Sequence, residues 1–137
     1  MKRPVLLALL FVFLLGGCTT ISTDVGTFLG MGPRDLEKAK ANGKVKVFSL
    51  SYDDAFSKVT AILEANNLKI YQTDRNRGYI VAIGFPRQTD TTRVGIFFES
   101  DGDNKTKITL SSLSTTALIK AESIIFGNIE GNVTVID

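Results

Sequence analysis

Histidine and tryptophan are absent from this 137-residue chain, and cysteine occurs once, at Cys18. Without histidine, neither a His-dependent catalytic triad nor a His–Cys zinc site can form. A lone cysteine excludes a disulfide within the chain. The apolar run at residues 5–15 has 11 residues, fewer than the roughly 20 that a transmembrane helix needs. The length fits a single domain.

The first 18 residues carry the strongest pattern in the sequence. Lys2 and Arg3 precede the apolar run, whose length is typical of the hydrophobic region of a secretory signal, about 7–15 residues. The run ends in Leu-Gly-Gly-Cys at residues 15–18, which resembles the bacterial lipobox. The resemblance implies diacylglycerol on the sulfur of Cys18, cleavage before this residue and acylation of the new amino terminus. The alternatives are a cleaved signal with a free cysteine, or an uncleaved anchor.

The lipobox resemblance also implies a location. Several acyl chains on one residue anchor a protein stably, whereas a single chain is marginal. Residue 19 is threonine and not aspartate, which by the sorting rule of enteric bacteria favours the outer membrane. The expectation is a lipoprotein of the bacterial cell envelope, held in the outer membrane and facing the periplasm.

The net charge of +2 belongs to the signal and not to the domain. Removal of residues 1–17 takes away Lys2 and Arg3, so the basic residues fall from 16 to 14 and equal the 14 acidic ones. A neutral chain carries no electrostatic signature of nucleic-acid binding. We therefore expect the membrane to be reached through the lipid, with no nucleic acid as partner.

After the signal, residues 18–43 are predicted to be a lipidated tether, and residues 44–137 a compact domain. Residues 33–41 have almost no apolar face and are interpreted as a short surface helix or a linker turn. Ser51 and Asp54 open the clearest helix, which ends near Asn66, because apolar residues follow at helical spacing over 52–63. A second helix is predicted over 114–126, broken by Gly127.

Five strands complete the prediction. Alternation and turn residues place them at 44–50, 68–73, 79–85, 92–100 and 105–113, and residues 132–136 form a sixth in one interpretation. The predicted fold class is α+β, an antiparallel sheet with two helices on one face, in the order β-α-β-β-β-β-α(-β).

The period-two alternation separates the two faces of this sheet. The residues expected to form the core beneath the helices are Leu68, Ile70, Val94, Ile96, Phe98, Ile108 and Leu110. The opposite face is expected to carry Tyr71, Thr73, Phe97, Thr109 and Ser111. One of the two alternating sets of residues in strand 79–85 also lies on it, and the alternation does not say which, because both sets are apolar. This face is either a contact surface for a partner or is covered by the tether or the C-terminal segment.

No residue pattern indicates catalysis, a metal site or a cofactor. Asp53 and Asp54 suit the positive end of a helix, and the Asp-Gly-Asp-Asn sequence at 101–104 suits a hairpin turn better than a calcium loop. No histidine or helical Ser-x-x-Lys motif is present to activate a serine. The protein is therefore predicted not to be an enzyme.

The domain resembles small envelope lipoproteins of unknown function that have a strand, an amphipathic helix, a strand, an Asp-x-x-x-Gly turn, a meander and a helix. Here that turn runs from Asp74 to Gly78. The element order is also similar to the helix-grip modules of BamC, an accessory lipoprotein of outer-membrane protein assembly. The similarity is one of architecture, and it implies no binding residues.

Two functions remain open. The first is a non-catalytic accessory module that binds another envelope protein, with Tyr71 and Phe97 as the predicted contacts. The alternative is a carrier or sensor of a small apolar or lipid ligand, held between helix and sheet near Phe56, Ile62 and Phe98.

The lipobox generates the first testable prediction. Replacing Cys18 by alanine removes the sulfur that would carry the diacylglycerol, so incorporation of radioactive palmitate into the protein should be abolished. Labelling that persists in the Cys18→Ala variant would show that the lipid is not attached at this residue.

Overall fold

The computed structural model describes residues 33–89 and 91–131. Five antiparallel strands form one sheet in the order β1-β5-β4-β3-β2. The strands are β1 (Lys44–Phe48), β2 (Lys69–Asp74), β3 (Tyr79–Ile83), β4 (Val94–Ser100) and β5 (Thr106–Ser111). The predicted α+β class and element order are confirmed, while the optional strand at 132–136 lies outside the described residues.

Helices lie on both sides of this sheet. Helix α1 (Pro33–Lys38) continues into a 3-10 turn (Ala39–Asn42), and α2 (Tyr52–Ala65) follows β1. Helix α3 (Thr115–Ala121), a π turn (Glu122–Phe126) and α4 (Gly127–Gly131) run on without a break and are together called the C-terminal helix. Within the described ranges, every helix is too short or too polar to cross a membrane.

Helix α2 begins and packs as its sequence predicts. The hydroxyl oxygen of Ser51 accepts from the backbone N–H of Asp54 (3.2 Å) and donates to its carboxylate (2.7 Å). The helix ends at Asn66 and Asn67, the latter in the left-handed region with φ 56°. Its buried residues are Ala55, Phe56, Val59, Ile62 and Leu63. They fall on one face, which packs on the sheet.

The main core lies between the sheet and the pair formed by α2 and the C-terminal helix. All the core residues predicted on this side are buried, except Ile70, which is partly buried against the cluster. Ile80 and Ala82 belong to this core, while Tyr79 and Val81 belong to a second cluster on the opposite side of the sheet, here called the back face. Alternate residues of β3 lie on opposite faces of the sheet. Both sets are apolar because both sets are buried.

A β-bulge changes the alternation in β2. The register shifts between Ile70 and Gln72, so Gln72 pairs with Val81 and Thr73 pairs with Ile80. Directly paired residues share a face, and Ile80 lies in the core under the helices. The prediction that placed Thr73 on the back face is therefore wrong, because the extra residue of the bulge reverses the side on which the following residues lie.

The predicted end of the second helix at Gly127 is also wrong. A glycine in a helix interior costs about 1 kcal/mol relative to alanine, yet the chain stays helical to Gly131. Ile129 is fully buried in the main core. The ring centres of Phe126 and Phe48 lie 5.4 Å apart, and the rings meet edge to face. Tertiary packing of these residues outweighs the unfavourable propensity of Gly127.

Helix α1 covers the centre of the back face. Its Leu36 is fully buried in the cluster with Tyr79, Val81 and Phe97. The hydroxyl of Ser111 donates to the carbonyl of Leu36 at 2.6 Å. Residues 33–42, assigned by sequence to the tether, therefore pack on the sheet, and the back face is partly covered by the chain itself.

Burial of Leu36 predicts a large effect on stability. Leu36→Ala should lower the free energy of unfolding by about 2–5 kcal/mol, because it leaves a cavity on the back face. The matched control is Leu113→Ala, at an exposed leucine, with an expected change within about 0.5 kcal/mol. Urea unfolding followed by circular dichroism measures both. Equal, small effects would show that the packing of α1 contributes little to stability.

Candidate functional site

The two predicted contact residues do not form one exposed patch. Tyr71 lies at the bulge of the edge strand β2 and is 50% exposed, with the guanidinium of Arg93 4.0 Å from its ring centre. Phe97 lies on the central strand β4 and is only 6% exposed, packed under Leu36. Contact of a partner with Tyr71 and Phe97 stays a prediction. Because Leu36 covers Phe97, a partner could touch this ring only at the side of α1 or beneath it.

Phe97 is also part of the wall of a cleft between α1 and the sheet, here called the α1 cleft. Its volume is about 500 Å³. The lining residues are Pro33, Arg34, Glu37, Gln72, Arg77, Tyr79 and Phe97. The sequence analysis missed Arg34, Gln72 and Arg77, which come from α1, the bulged strand and a turn, and which share no motif.

The turn between β2 and β3 positions Arg77 at this cleft. The carboxylate of Asp74 accepts from the backbone N–H groups of Asn76 and Arg77, both at 3.0 Å. Gly78 then has φ 71°, and a Cβ there would lie 2.6 Å from the carbonyl oxygen of Phe98. Only glycine fits this position. The Asp-x-x-x-Gly turn therefore fixes the backbone position of Arg77.

The cleft is lined by polar groups and by charged groups of both signs. Guanidinium groups donate to carboxylate or phosphate oxygens. The guanidinium of Arg77 lies 3.7 Å from the carboxylate of Asp74, and the carboxylate of Glu37 lines the cleft beside Arg34. The side-chain amide of Gln72 donates to the hydroxyl of Tyr79 at 3.0 Å, which orients both groups. Phe97 adds an aromatic surface to these polar groups.

Charged side chains hold the 3-10 turn that follows α1 on the back face. The ammonium of Lys40 lies 3.1 Å from the carboxylate of Glu99 and 4.7 Å from the ring centre of Phe97. Lys107 pairs with the other carboxylate oxygen of Glu99. Hydrogen bonds from Lys107 and from Lys40 lower the pKa of Glu99 below its usual value of 4.5. Glu99 thus links this turn to β5 while it is ionised.

The region predicted for an apolar ligand is packed with side chains. The ring centres of Phe56 and Phe98 are 4.8 Å apart, and Tyr52 packs against both. The hydroxyl of Tyr52 donates to the carbonyl of Arg75 at 2.6 Å, and burial raises the pKa of this tyrosine. Ile62 is buried in the same cluster. These residues contact one another where the alternative would place its ligand.

The aspartates at the start of α2 have structural partners. Asp54 accepts from Ser51, and Asp53 lies 2.8 Å from a guanidinium nitrogen of Arg75. Over residues 33–89 and 91–131, no cluster of three or more His, Cys, Asp or Glu side chains is arranged to hold a metal ion. A comparison with models of known protein families found no match, and a comparison with curated proteins found no significant match.

The ion pairs of Glu99 generate a prediction about pH. Because its pKa is lowered by folding, Glu99 stabilises the native state above pH 4.5 and loses this contribution as the pH falls through the lowered value. Glu99→Gln should therefore lower the melting temperature by a few degrees at pH 7, and the difference from the unmodified protein should shrink towards pH 3.

The control is Glu64→Gln, at an exposed position of α2. Its melting temperature should follow that of the unmodified protein over the same pH range. A difference for Glu99→Gln that stays constant from pH 7 to pH 3 would contradict the assigned role of the carboxylate.

Proposed function

We propose that this protein is a lipoprotein of the bacterial cell envelope, anchored through Cys18 in the outer membrane and facing the periplasm. It acts as a non-catalytic accessory module that binds another envelope protein through the back face. The observation that carries the proposal is that Pro33, which lies within the predicted tether of residues 18–43, itself forms part of the α1 cleft. The proposed binding surface therefore lies where the tether reaches the domain.

The length of the tether limits the distance of this surface from the membrane. Fifteen residue steps separate Cys18 from Pro33. A fully extended chain spans at most about 3.3–3.6 Å per residue, so the cleft stays within about 50 Å of the acylated residue. With Cys18 in the membrane, the domain would meet its partner within this reach of the bilayer.

Two features of the back face favour a protein partner. Half-exposed Tyr71 and partly buried Arg93 form a pair at the rim, and tyrosine and arginine are enriched among the residues that dominate protein interfaces. The α1 cleft lies beside them on the same face and offers guanidinium, amide and aromatic groups. The equal numbers of acidic and basic residues after position 17 favour recognition through such specific contacts over attraction to any charged surface.

The proposal predicts a face-specific crosslink in living cells. A photoreactive amino acid at Tyr71 or Gln72 should capture one dominant envelope protein, identified by mass spectrometry. The matched control is Ile119 on the C-terminal helix, which is 54% exposed and lies on the other side of the sheet. Equal capture from residue 119, or only lipid adducts from 71 and 72, would remove the back face from the proposal.

Charge at the cleft gives an independent readout of the same interaction. Arg77→Ala should reduce the crosslink yield from residue 72 by about tenfold if its guanidinium contributes about 1.4 kcal/mol to binding. Lys58→Ala, on α2, should leave the yield unchanged. Neither residue belongs to the core, so both variants should fold.

A further inference from the structure

The C-terminal helix runs along strand β1 and ends beside it. Glu122 of this helix lies 3.3 Å from Lys44, and Glu130 forms an ion pair with Lys46. The helix therefore advances in the same direction as β1 and ends at Gly131, one residue after the second of these contacts. A chain that reverses after this helix and continues beside β1 runs antiparallel to β1.

The residues that follow this helix have the composition of a strand. Residues 132–137, which lie outside the described part of the chain, have the sequence Asn-Val-Thr-Val-Ile-Asp. Four successive residues, 133–136, are β-branched, and β-branched residues are enriched in strands. Strand β1 has five residues, so a segment of this length matches it.

Strand β1 has room for a neighbour on the side away from β5. Within the described residues, β5 is the one strand paired with β1. A groove of about 530 Å³ lies between β1 and the C-terminal helix, where Ser123 and Gly127 are small and a Cβ at Gly127 would meet no atom within 4 Å. On the back face, β1 presents Val45 and Val47, which are 56% and 44% exposed. Both faces beside β1 can therefore accept the side chains of a further strand.

We propose that residues 132–136 form a sixth strand, antiparallel to β1 and on the side of β1 away from β5. The hand of the connections selects this edge of the sheet. Strands β1 and β2 are parallel, and α2 connects them across the core side. Such crossovers are right-handed in about 98% of cases. A connection from β5 through the C-terminal helix to a strand beyond β1 has the same hand, whereas a strand beyond β2 would give the opposite hand.

The exposed valines of β1 decide which residues of the sixth strand lie on which face. Alternate residues of a strand lie on opposite faces. With Val133 and Val135 on the back face, the valines of both strands lie side by side and remove one another's apolar surface from water. Thr134 and Ile136 then lie on the side of the C-terminal helix, where Ile136 would face the gap at Gly127. The opposite assignment would place Thr134 among the exposed valines.

A sixth strand changes what the sheet offers to other molecules at this edge. The unpaired N–H and C=O groups of an edge strand form a template for pairing with another chain. Pairing with residues 132–136 would satisfy these groups of β1 and cover Val45 and Val47 from within the same molecule. This inference depends neither on a lipid at Cys18 nor on a partner at Tyr71.

The test is a scan of engineered disulfides within the full chain under mild oxidation. Four variants combine Val47→Cys with one of Val133→Cys, Thr134→Cys, Val135→Cys or Ile136→Cys. Directly opposite residues of antiparallel strands have Cα atoms about 4.5–5.5 Å apart, within reach of a disulfide, while the next residue along the strand faces the other way. We expect residue 133 or 135, whichever lies opposite Val47, to crosslink at least about tenfold more than the matched controls at 134 and 136.

Mass spectrometry of tryptic peptides identifies the disulfide. Trypsin cleaves after Lys46 and Lys120, so the two engineered cysteines lie in different peptides, and neither peptide contains Cys18. Equal crosslinking of all four variants would show that the segment has no fixed place beside β1. A preference for 134 and 136 would reverse the assigned faces, and no crosslink in any variant with an unchanged circular dichroism spectrum would show that the segment does not pair with β1. Each of these three results overturns the proposal.

Discussion

Packing of Leu36 against the sheet is the constraint on which the arrangement of the back face depends. The contact is possible because residue 95 is glycine: a Cβ there would lie 3.1 Å from the Cβ of Leu36 and 2.7 Å from the ring of Phe97. Without α1, Tyr79, Val81 and Phe97 would form an exposed apolar patch. With it, the centre of the back face is covered, and the edge of the patch becomes a wall of the α1 cleft.

The parts of the fold that were predictable have locally encoded causes. Helix α2 has a capping serine and one continuous apolar face, so its bounds follow from residues within the helix. The strands of the meander have turn residues between them and alternate in polarity. Even the ambiguous strand β3 is informative, because apolar residues in both phases are expected of a strand with two covered faces. The sequence pattern did not show what covered the second face.

The features that were not predictable depend on contacts between distant residues. Helix α1 packs through one leucine, which gives no periodic signal, and the gap that admits it lies nearly 60 residues later at Gly95. The bulge in β2 has no turn residue to mark it, so Thr73 was placed on the wrong face and Gln72 was missed. Gly127 stays helical because Ile129 is buried. The α1 cleft depends on the first two of these features, and therefore no motif predicted it.

The same packing determines where the chain before Gly43 meets the sheet. Leu36 and Ser111 fix α1 to the back face, and the pairing of Lys40 with Glu99 fixes the 3-10 turn that follows it, so the chain already packs on this face before Gly43. The two edges of the sheet lie on either side of this face. Strand β2, with Tyr71, and strand β1, with Val47, are at opposite edges. A partner bound near Tyr71, as proposed, would therefore not occupy the surface around Val47.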